Sequence, residues 1–256
     1  MKFFEFGAEN EKTLILLHGV DTTWKISFGK FIDLAQSEFH IVAVAEDGFN
    51  PDEPEVNAVS VIEEARKVTE YLVEKFDGQI DIIMGQSWGG MVMTEILLDP
   101  RISVHTAIAD GFTILEYPNF KHDIFKQILS GVIASIEYFA FKKVSKKLLA
   151  RLVGLNSVEE LDGMLYTGMS KKTLYNLEYC MMPYRYKYEA FNLSDTYLWH
   201  GEKEPGLKQV RKKVDRKIYH FTHKVFPGCG HGSLLLQPER LLEEVKIAYS
   251  GQARNN

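Results

Sequence analysis

Short runs that are nearly continuously apolar alternate along the chain with longer segments whose apolar positions recur every three or four residues. The short runs cover residues Thr13–Leu17, 41–45, 80–84, 104–109, 196–199 and 224–226, and each leads into a turn or a glycine-containing segment. A strand covered on both faces has no solvent side, so near-continuous apolarity is the mark of a mainly parallel sheet with helices above and below. Between the strands, residues 56–76 place Val59, Ile62, Val68, Tyr71 and Leu72 at helical spacing with Glu and Lys opposite, which predicts an amphipathic helix. Residues 88–98, 206–215 and Pro238–Tyr249 read as further helices, and Pro238 suits the first turn of the last one.

The alternation stops between residues 112 and 192, a stretch that reads as wholly helical and is rich in Tyr, Lys and large apolar residues. It carries a formal charge of +3 against −8 for the rest of the chain, a shift that supports a separate unit. The predicted organisation is therefore an α/β core formed by residues 1–111 and 193–256, with a helical cap at 112–192 lying over the sheet. The longest apolar stretch, residues 124–141, is broken by Lys126, Gln127 and Glu137 and falls short of a bilayer span, so it reads as a buried or capping helix.

The chain has 256 residues, 45% of them hydrophobic and 25% charged, which fits one globular α/β domain with an insertion and excludes disorder, collagen and disulfide scaffolds. A net charge of −5 gives no global positive field, so nucleic acid and anionic membrane are not expected partners. Two cysteines, Cys180 and Cys229, are too few for a thiolate cluster or a disulfide framework. The first residues carry Lys2, Glu5, Glu9, Glu11 and Lys12 with no apolar core of signal-peptide length, so a reducing cytoplasm is expected.

The chemistry concentrates where strands end. After residues 80–84 comes Gly85-Gln86-Ser87-Trp88-Gly89-Gly90, followed at once by a helical run. A nucleophilic hydroxyl must be held out on a tight strand-to-helix turn, and small residues two positions before and after let the backbone fold back without a Cβ collision. Serine also needs a base. His231, in Pro227-Gly228-Cys229-Gly230-His231-Gly232 after the last strand, is the candidate, with glycines that let the ring reach across the strand ends. The base needs an acid to fix its tautomer and stabilise imidazolium. Strand 196–199 runs into His200-Gly201-Glu202-Lys203-Glu204-Pro205, and Glu204, pushed toward extended geometry by Pro205, is chosen, with Asp110 and Glu202 as alternatives. Oxyanion donors are expected from the Trp88 amide at a helix start and from the loop Leu16-Leu17-His18-Gly19-Val20-Asp21, with Val20 as donor and Gly19 allowing close approach of substrate.

The segments Leu14-Ile15-Leu16-Leu17-His18-Gly19, Gly85 to Gly90, His200 to Glu204 and Gly230-His231-Gly232, in that order, resemble the α/β-hydrolase superfamily over nearly the whole chain except the cap. The resemblance implies the order nucleophile, acid, histidine. It usually places aspartate where Glu204 stands, which keeps Asp110 in contention, and it makes His18 a support of its loop. The activity expected is a serine hydrolase, carboxylesterase-like, that cleaves a small or lipid-like ester, thioester or amide through an acyl-enzyme, with a small-molecule acyl substrate and no cofactor. The alternative is a ligand-binding or sensor protein on the same fold, and the fold does not choose among substrates.

Weaker signals surround these. His220 and His223 would point to opposite faces of a strand, so no metal is assigned. Cys229 reads as a small buried turn residue. Lys142, Lys143, Lys146 and Lys147, near Phe139, Val144, Leu148 and Leu152, read as a solvated face, with anionic lipid the other reading. Tyr166, Tyr175, Tyr179, Tyr184, Tyr186 and Tyr188, with Met181 and Met182, could line an acyl pocket or form the cap's own core, and no single position is assigned.

Overall fold

The computed structural model describes residues 1–111, 122–143, 146–152, 154–185, 187–204, 207–208 and 219–251. Among the described residues seven strands form one sheet: β1 (Lys2–Phe6), β2 (Thr13–Leu17), β3 (His40–Ala45), β4 (Gln79–Gln86), β5 (Ser103–Asp110), β6 (Asp195–Gly201) and β7 (Thr222–Phe226). Their order is β1-β3-β2-β4-β5-β6-β7, with β1 antiparallel to β3 and every other pair parallel. All five residues of β2 and all six of β3 are buried, as continuous apolarity demands.

Helix α1 (Trp24–Ala35) packs with the last helix on one face of the sheet, around Phe28, Phe31, Leu241 and Val245. On the other face α2 (Val61–Phe76) and α3 (Trp88–Leu97) cover Ile15, Val42, Ile83 and Ala107. Between β5 and β6 the described residues form α4 (Asp123–Lys143), α5 (Lys146–Leu152), α6 (Val158–Asp162) and α7 (Lys171–Met181), and α4 packs on α7. The last helix, α8, spans Pro238–Tyr249 with proline in its first turn. The mainly parallel sheet flanked by helices is the architecture expected from the alternation of patterns.

Several local expectations are corrected. The helix expected over residues 56–76 begins at Val61, because the Ser60 hydroxyl accepts a hydrogen bond from the Glu63 amide at 3.2 Å and caps it there. Residues 112–192 are not wholly helical, since residues 163–170 link α6 to α7 without regular structure and Tyr188–Asn192 is a single 3-10 turn. The helix expected at 206–215 lies outside the described residues apart from 207–208. Two elements were not anticipated. Strand β1 carries the mixed sequence Lys-Phe-Phe-Glu-Phe, and its phenylalanines are held from outside the sheet: Phe3 stacks on Tyr71 with ring centres 3.8 Å apart, and Phe4 on Trp24 at 4.7 Å. Helix α1 opens at Thr23, whose hydroxyl accepts from the Ile26 amide.

No helix among the described residues is long and apolar enough to cross a membrane. Helix α4 instead buries one side and exposes Ile124, Phe125, Ile128, Val132, Ile136 and Phe139 along the other.

Candidate active site

Strands β2 and β4 are neighbours, paired Leu17 to Gly85, and they lie where the strand order reverses direction along the sheet, so the loops after them open into one crevice. The β4 strand ends at Gln86 and α3 begins at Trp88, leaving Ser87 alone at the turn with φ 52° and ψ −111°. A serine rarely holds a positive φ, and here the flanking structure fixes it: the Ser87 amide donates to the Asp110 carbonyl at 2.8 Å, and the Ser87 carbonyl accepts from Gly90 at 3.0 Å. The surrounding glycines have a steric cause. A Cβ on Gly85 would stand 2.4 Å from the Gly89 carbonyl oxygen, and one on Gly89 would stand 2.3 Å from that of Leu17.

Ser87 and His231 line the same cavity, of about 460 Å³, together with Val20, Trp88 and Gln86. Among the described residues, neither the Val20 nor the Trp88 amide donates to another backbone group, so both remain available to a ligand. The Trp88 indole is fixed at its far end, where Nε1 donates to Glu46 Oε2 at 2.6 Å. Gly19 is not among the lining residues. A Cβ there would fall 2.0 Å from Gln86 Oε1, so its missing side chain makes room for the Gln86 carboxamide. Fully buried His18 bonds to the Gly19 carbonyl oxygen through Nδ1 at 2.8 Å and receives the Glu46 amide on Nε2 at 3.4 Å. Burial lowers its pKa to about 4, so the ring is a neutral brace of the loop.

His231 Nδ1 lies 3.2 Å from Glu204 Oε2. The other Glu204 oxygen accepts the Gly201 amide at 2.6 Å, which closes a tight turn after β6 and holds the carboxylate while leaving one oxygen for the imidazole. Burial works against imidazolium, but the bond to Glu204, its charge and that of Asp110 outweigh it, and the His231 pKa lies above 6.5. The other two acids are placed differently. Glu202 accepts the Gly228 amide at 3.0 Å on the outer side of the turn. Asp110 is buried near the imidazole, its Oδ2 without a hydrogen-bond partner, and burial with the Glu204 charge nearby pushes it up to about 7. Gly111, with φ +64°, follows Asp110 and lets the ring in: a Cβ there would lie 2.7 Å from His231 Cε1.

Three carboxylates that pattern reasoning left without a role line the same cavity: Asp21, Glu137 and Glu178. Burial and Glu178 raise Asp21 to about 7, and burial, Glu178 and Asp21 raise Glu137 to about 8. The signal for Glu137 was its interruption of an otherwise apolar helix, and for Asp21 its place one residue after Val20. Among the described residues, none of these tyrosines lines the cavity: Tyr175 stacks on Tyr179 at 6.0 Å, Tyr184 is buried with its hydroxyl on Glu95, and Tyr188 packs on Phe191. Tyr186 lies outside the described residues. Met181 does face the cavity, beside Met164. His223 Nε2 lies 3.1 Å from His200 Nδ1, and among the described residues no group of three His, Cys, Asp or Glu side chains is arranged to hold a metal ion. Cys229 is a buried free thiol.

The sequence model of the alpha/beta hydrolase family matches residues 14–244, and the chain belongs to that family. Among solved structures it resembles an alpha/beta hydrolase family protein from Desulfitobacterium hafniense, with TM-score 0.75 and 23% identity over 95% of this chain and 99% of that one. MenH from S. aureus superposes with TM-score 0.71 and 15% identity over 99% and 98% of the two chains. The esterase EaEST from Exiguobacterium antarcticum superposes with TM-score 0.70 and 16% identity over 97% and 94%. A search of the curated proteins found no match.

Proposed function

We propose that the protein is a serine hydrolase that cleaves a carboxylic ester or thioester through an acyl-enzyme, with Ser87 as nucleophile, His231 as general base and acid, and Glu204 as the carboxylate that orients and stabilises the imidazolium. The observation that carries this reading is the shared cavity: Ser87, alone on its strand-to-helix turn, and His231, paired with a buried carboxylate, open onto the same space. Ser87 Oγ adds to the carbonyl carbon while His231 takes its proton. The oxygen that becomes negative is held by the Val20 and Trp88 amides, the second of them at the start of α3. Collapse expels the alcohol or thiol, which takes the proton from His231. Water then repeats the sequence on the acyl-enzyme and frees the acid.

The segment at 112–192 acts as a cap in this reading, because Ile133 of α4, Leu161 of α6 and Met181 of α7 wall the cavity opposite the strand ends. The apolar walls favour an uncharged acyl chain near the carbonyl, which makes carboxylesterase the reaction class. Hydrolysis of p-nitrophenyl esters from acetate to octanoate tests the proposal. Saturable turnover that is lost in both Ser87→Ala and His231→Ala is the expected result. Turnover that survives in Ser87→Ala overturns the assignment of the nucleophile, and folded protein that hydrolyses none of the series overturns the hydrolase reading in favour of a binding protein.

A further inference from the structure

Three neighbouring strands end beside the candidate oxyanion amides: β3 runs into Glu46, β2 into His18 and β4 into Ser87. Glu46 and His18 are both fully buried, and neither is among the described residues that line the cavity. Glu46 nevertheless bonds toward both donors. Its Oε2 accepts the Trp88 indole N–H at 2.6 Å, and its own backbone amide donates to His18 Nε2 at 3.4 Å.

The bond to His18 decides where that ring keeps its proton. A nitrogen that accepts carries none, so in this neutral imidazole the proton sits on Nδ1 and is donated to the Gly19 carbonyl at 2.8 Å. Phe49 meets the ring edge-on, with centres 5.3 Å apart, and helps to hold its plane. The Gly19 carbonyl and the Val20 amide belong to one peptide unit. In a trans peptide the two point in opposite directions, so a carbonyl held on His18 turns the Val20 N–H away from that ring, and Val20 lines the cavity. The Trp88 arm is more direct. The anchored indole belongs to the residue that supplies the other amide, at the first position of α3.

Packing alone gives no reason for a carboxyl at this place. The second Glu46 oxygen, Oε1, has no hydrogen-bond partner, and Glu64 and Asp47 add like charge nearby. An apolar pair of similar volume would spare the core both penalties.

We infer that Glu46 is a positioning residue for both oxyanion donors, holding the Trp88 amide through the indole and the Val20 amide through His18. This rests on the hydrolase reading of Ser87, and it makes stabilisation of the oxyanion depend on a residue outside the cavity.

An alkyl trifluoromethyl ketone as inhibitor, with the corresponding secondary alcohol as control, tests the inference alongside kcat and KM for p-nitrophenyl butyrate. Ser87 Oγ adds to the ketone carbon, the carbonyl electron pair moves onto oxygen, and the serine proton passes to His231. The ketone therefore forms the oxyanion that the alcohol cannot. Glu46→Leu removes the acceptor at similar volume and is expected to lower kcat and ketone affinity by about thirtyfold or more, with KM and alcohol affinity within about threefold of wild type. Glu46→Gln keeps an acceptor and is expected to stay within about fivefold in all four quantities. Trp88→Phe should show the pattern of Glu46→Leu, and combining the two should cost nothing more, because both break one bond. His18→Phe should show it as well, and its loss should multiply with that of Glu46→Leu, because the two act on different amides.

The inference is overturned if Glu46→Leu keeps wild-type kcat and ketone affinity, if ketone and alcohol affinities fall together, or if Glu46→Gln is as impaired as Glu46→Leu. Wild-type ketone affinity in His18→Phe overturns the Val20 arm. Should Glu46→Leu fail to fold, Trp88→Phe and His18→Phe carry the same comparison. Wild type that hydrolyses no ester and binds the ketone no better than the alcohol fails the hydrolase reading, whereas active wild type with an unaffected Glu46→Leu fails this inference alone.

Discussion

His231 Nδ1 and Glu204 Oε2 stand 3.2 Å apart although the residues are 27 positions apart along the chain, with strand β7 between them. One Glu204 oxygen is committed to the Gly201 amide, and the other is directed at the ring. Asp110, the other buried carboxylate close to that ring, influences it through charge alone. The two acids therefore have separable effects. Glu204→Gln is expected to lower kcat by about a thousandfold or more, because an amide cannot stabilise imidazolium and can impose the wrong tautomer. Asp110→Asn is expected to cost less than about tenfold. Steady-state kinetics of the two variants, with comparable losses or the reverse order, would move the acid role to Asp110.

The pH profile has a predicted direction. His231 must be neutral to accept the Ser87 proton, and its pKa is held above 6.5 by Glu204 and Asp110 against the effect of burial. Activity should therefore fall on acidification with a midpoint above 6.5. In Asp110→Asn that midpoint should move down, because one of the charges that stabilises imidazolium has gone. An acid limb that stays in place in Asp110→Asn contradicts the electrostatic assignment.

Gly111 is predicted to be intolerant of a side chain. Its φ of +64° disfavours alanine, and the added Cβ would meet His231 Cε1 at 2.7 Å. Gly111→Ala should lose about 1–3 kcal/mol of stability through the backbone and, separately, most of its activity through the displaced ring. Urea denaturation and kcat measured on the same preparation separate the two, and a variant that is less stable but fully active would show that the imidazole has room to spare.

Glu64 should make stability depend on pH. It is fully buried, its Oε1 has no partner, and burial together with Asp47 raises its pKa from 4.5 to about 7. Between those two values the folded chain keeps a proton that the unfolded chain has released, so Glu64's favourable contribution is complete below the lower value and is lost as pH rises through the upper one. Glu64→Gln keeps an oxygen acceptor for the Asp47 amide, which now bonds to Glu64 at 3.1 Å. It should raise stability at pH 8 by at most about 3 kcal/mol and change it little at pH 4. Denaturant midpoints at the two pH values check the sign.

Trp88 joins the candidate oxyanion amide to the buried Glu46 carboxyl. Burial and the charges of Glu64 and Asp47 push Glu46 well above the usual carboxylate range, although the Trp88 bond opposes this. Trp88→Phe leaves that oxygen unpaired and should cost about 1–3 kcal/mol, whereas Glu46→Gln keeps an acceptor and should cost less than about 1 kcal/mol. Thermal midpoints of the two variants test this, and equal losses would mean that volume rather than the hydrogen bond matters there.

The buried strands and the segments bearing Ser87, Glu204 and His231 were legible because their constraints are local: continuous apolarity for a covered strand, and Gly85 and Gly89 for a turn in which backbones approach within contact distance. Strand β1 was not legible, because Phe3 and Phe4 owe their places to Tyr71 and Trp24, which are distant in sequence. Helix α1 does carry local signals, a cap at Thr23 and buried Phe28, Phe31 and Ile32 at helical spacing. The grouping of the three cavity carboxylates lay beyond reach for a different reason. Asp21, Glu137 and Glu178 come from a loop and two helices, and only packing of α4 and α7 over the strand ends brings three isolated carboxylates to one cavity.

The most direct measurement of the central claim is mass spectrometry of the protein after reaction with a fluorophosphonate, with peptide mapping of the adduct. A serine activated by a neutral imidazole should give a single phosphonyl adduct on the peptide containing Ser87, absent in Ser87→Ala and strongly slowed in His231→Ala. Folded protein that stays unmodified, or an adduct that maps elsewhere or forms as fast without His231, would contradict the account.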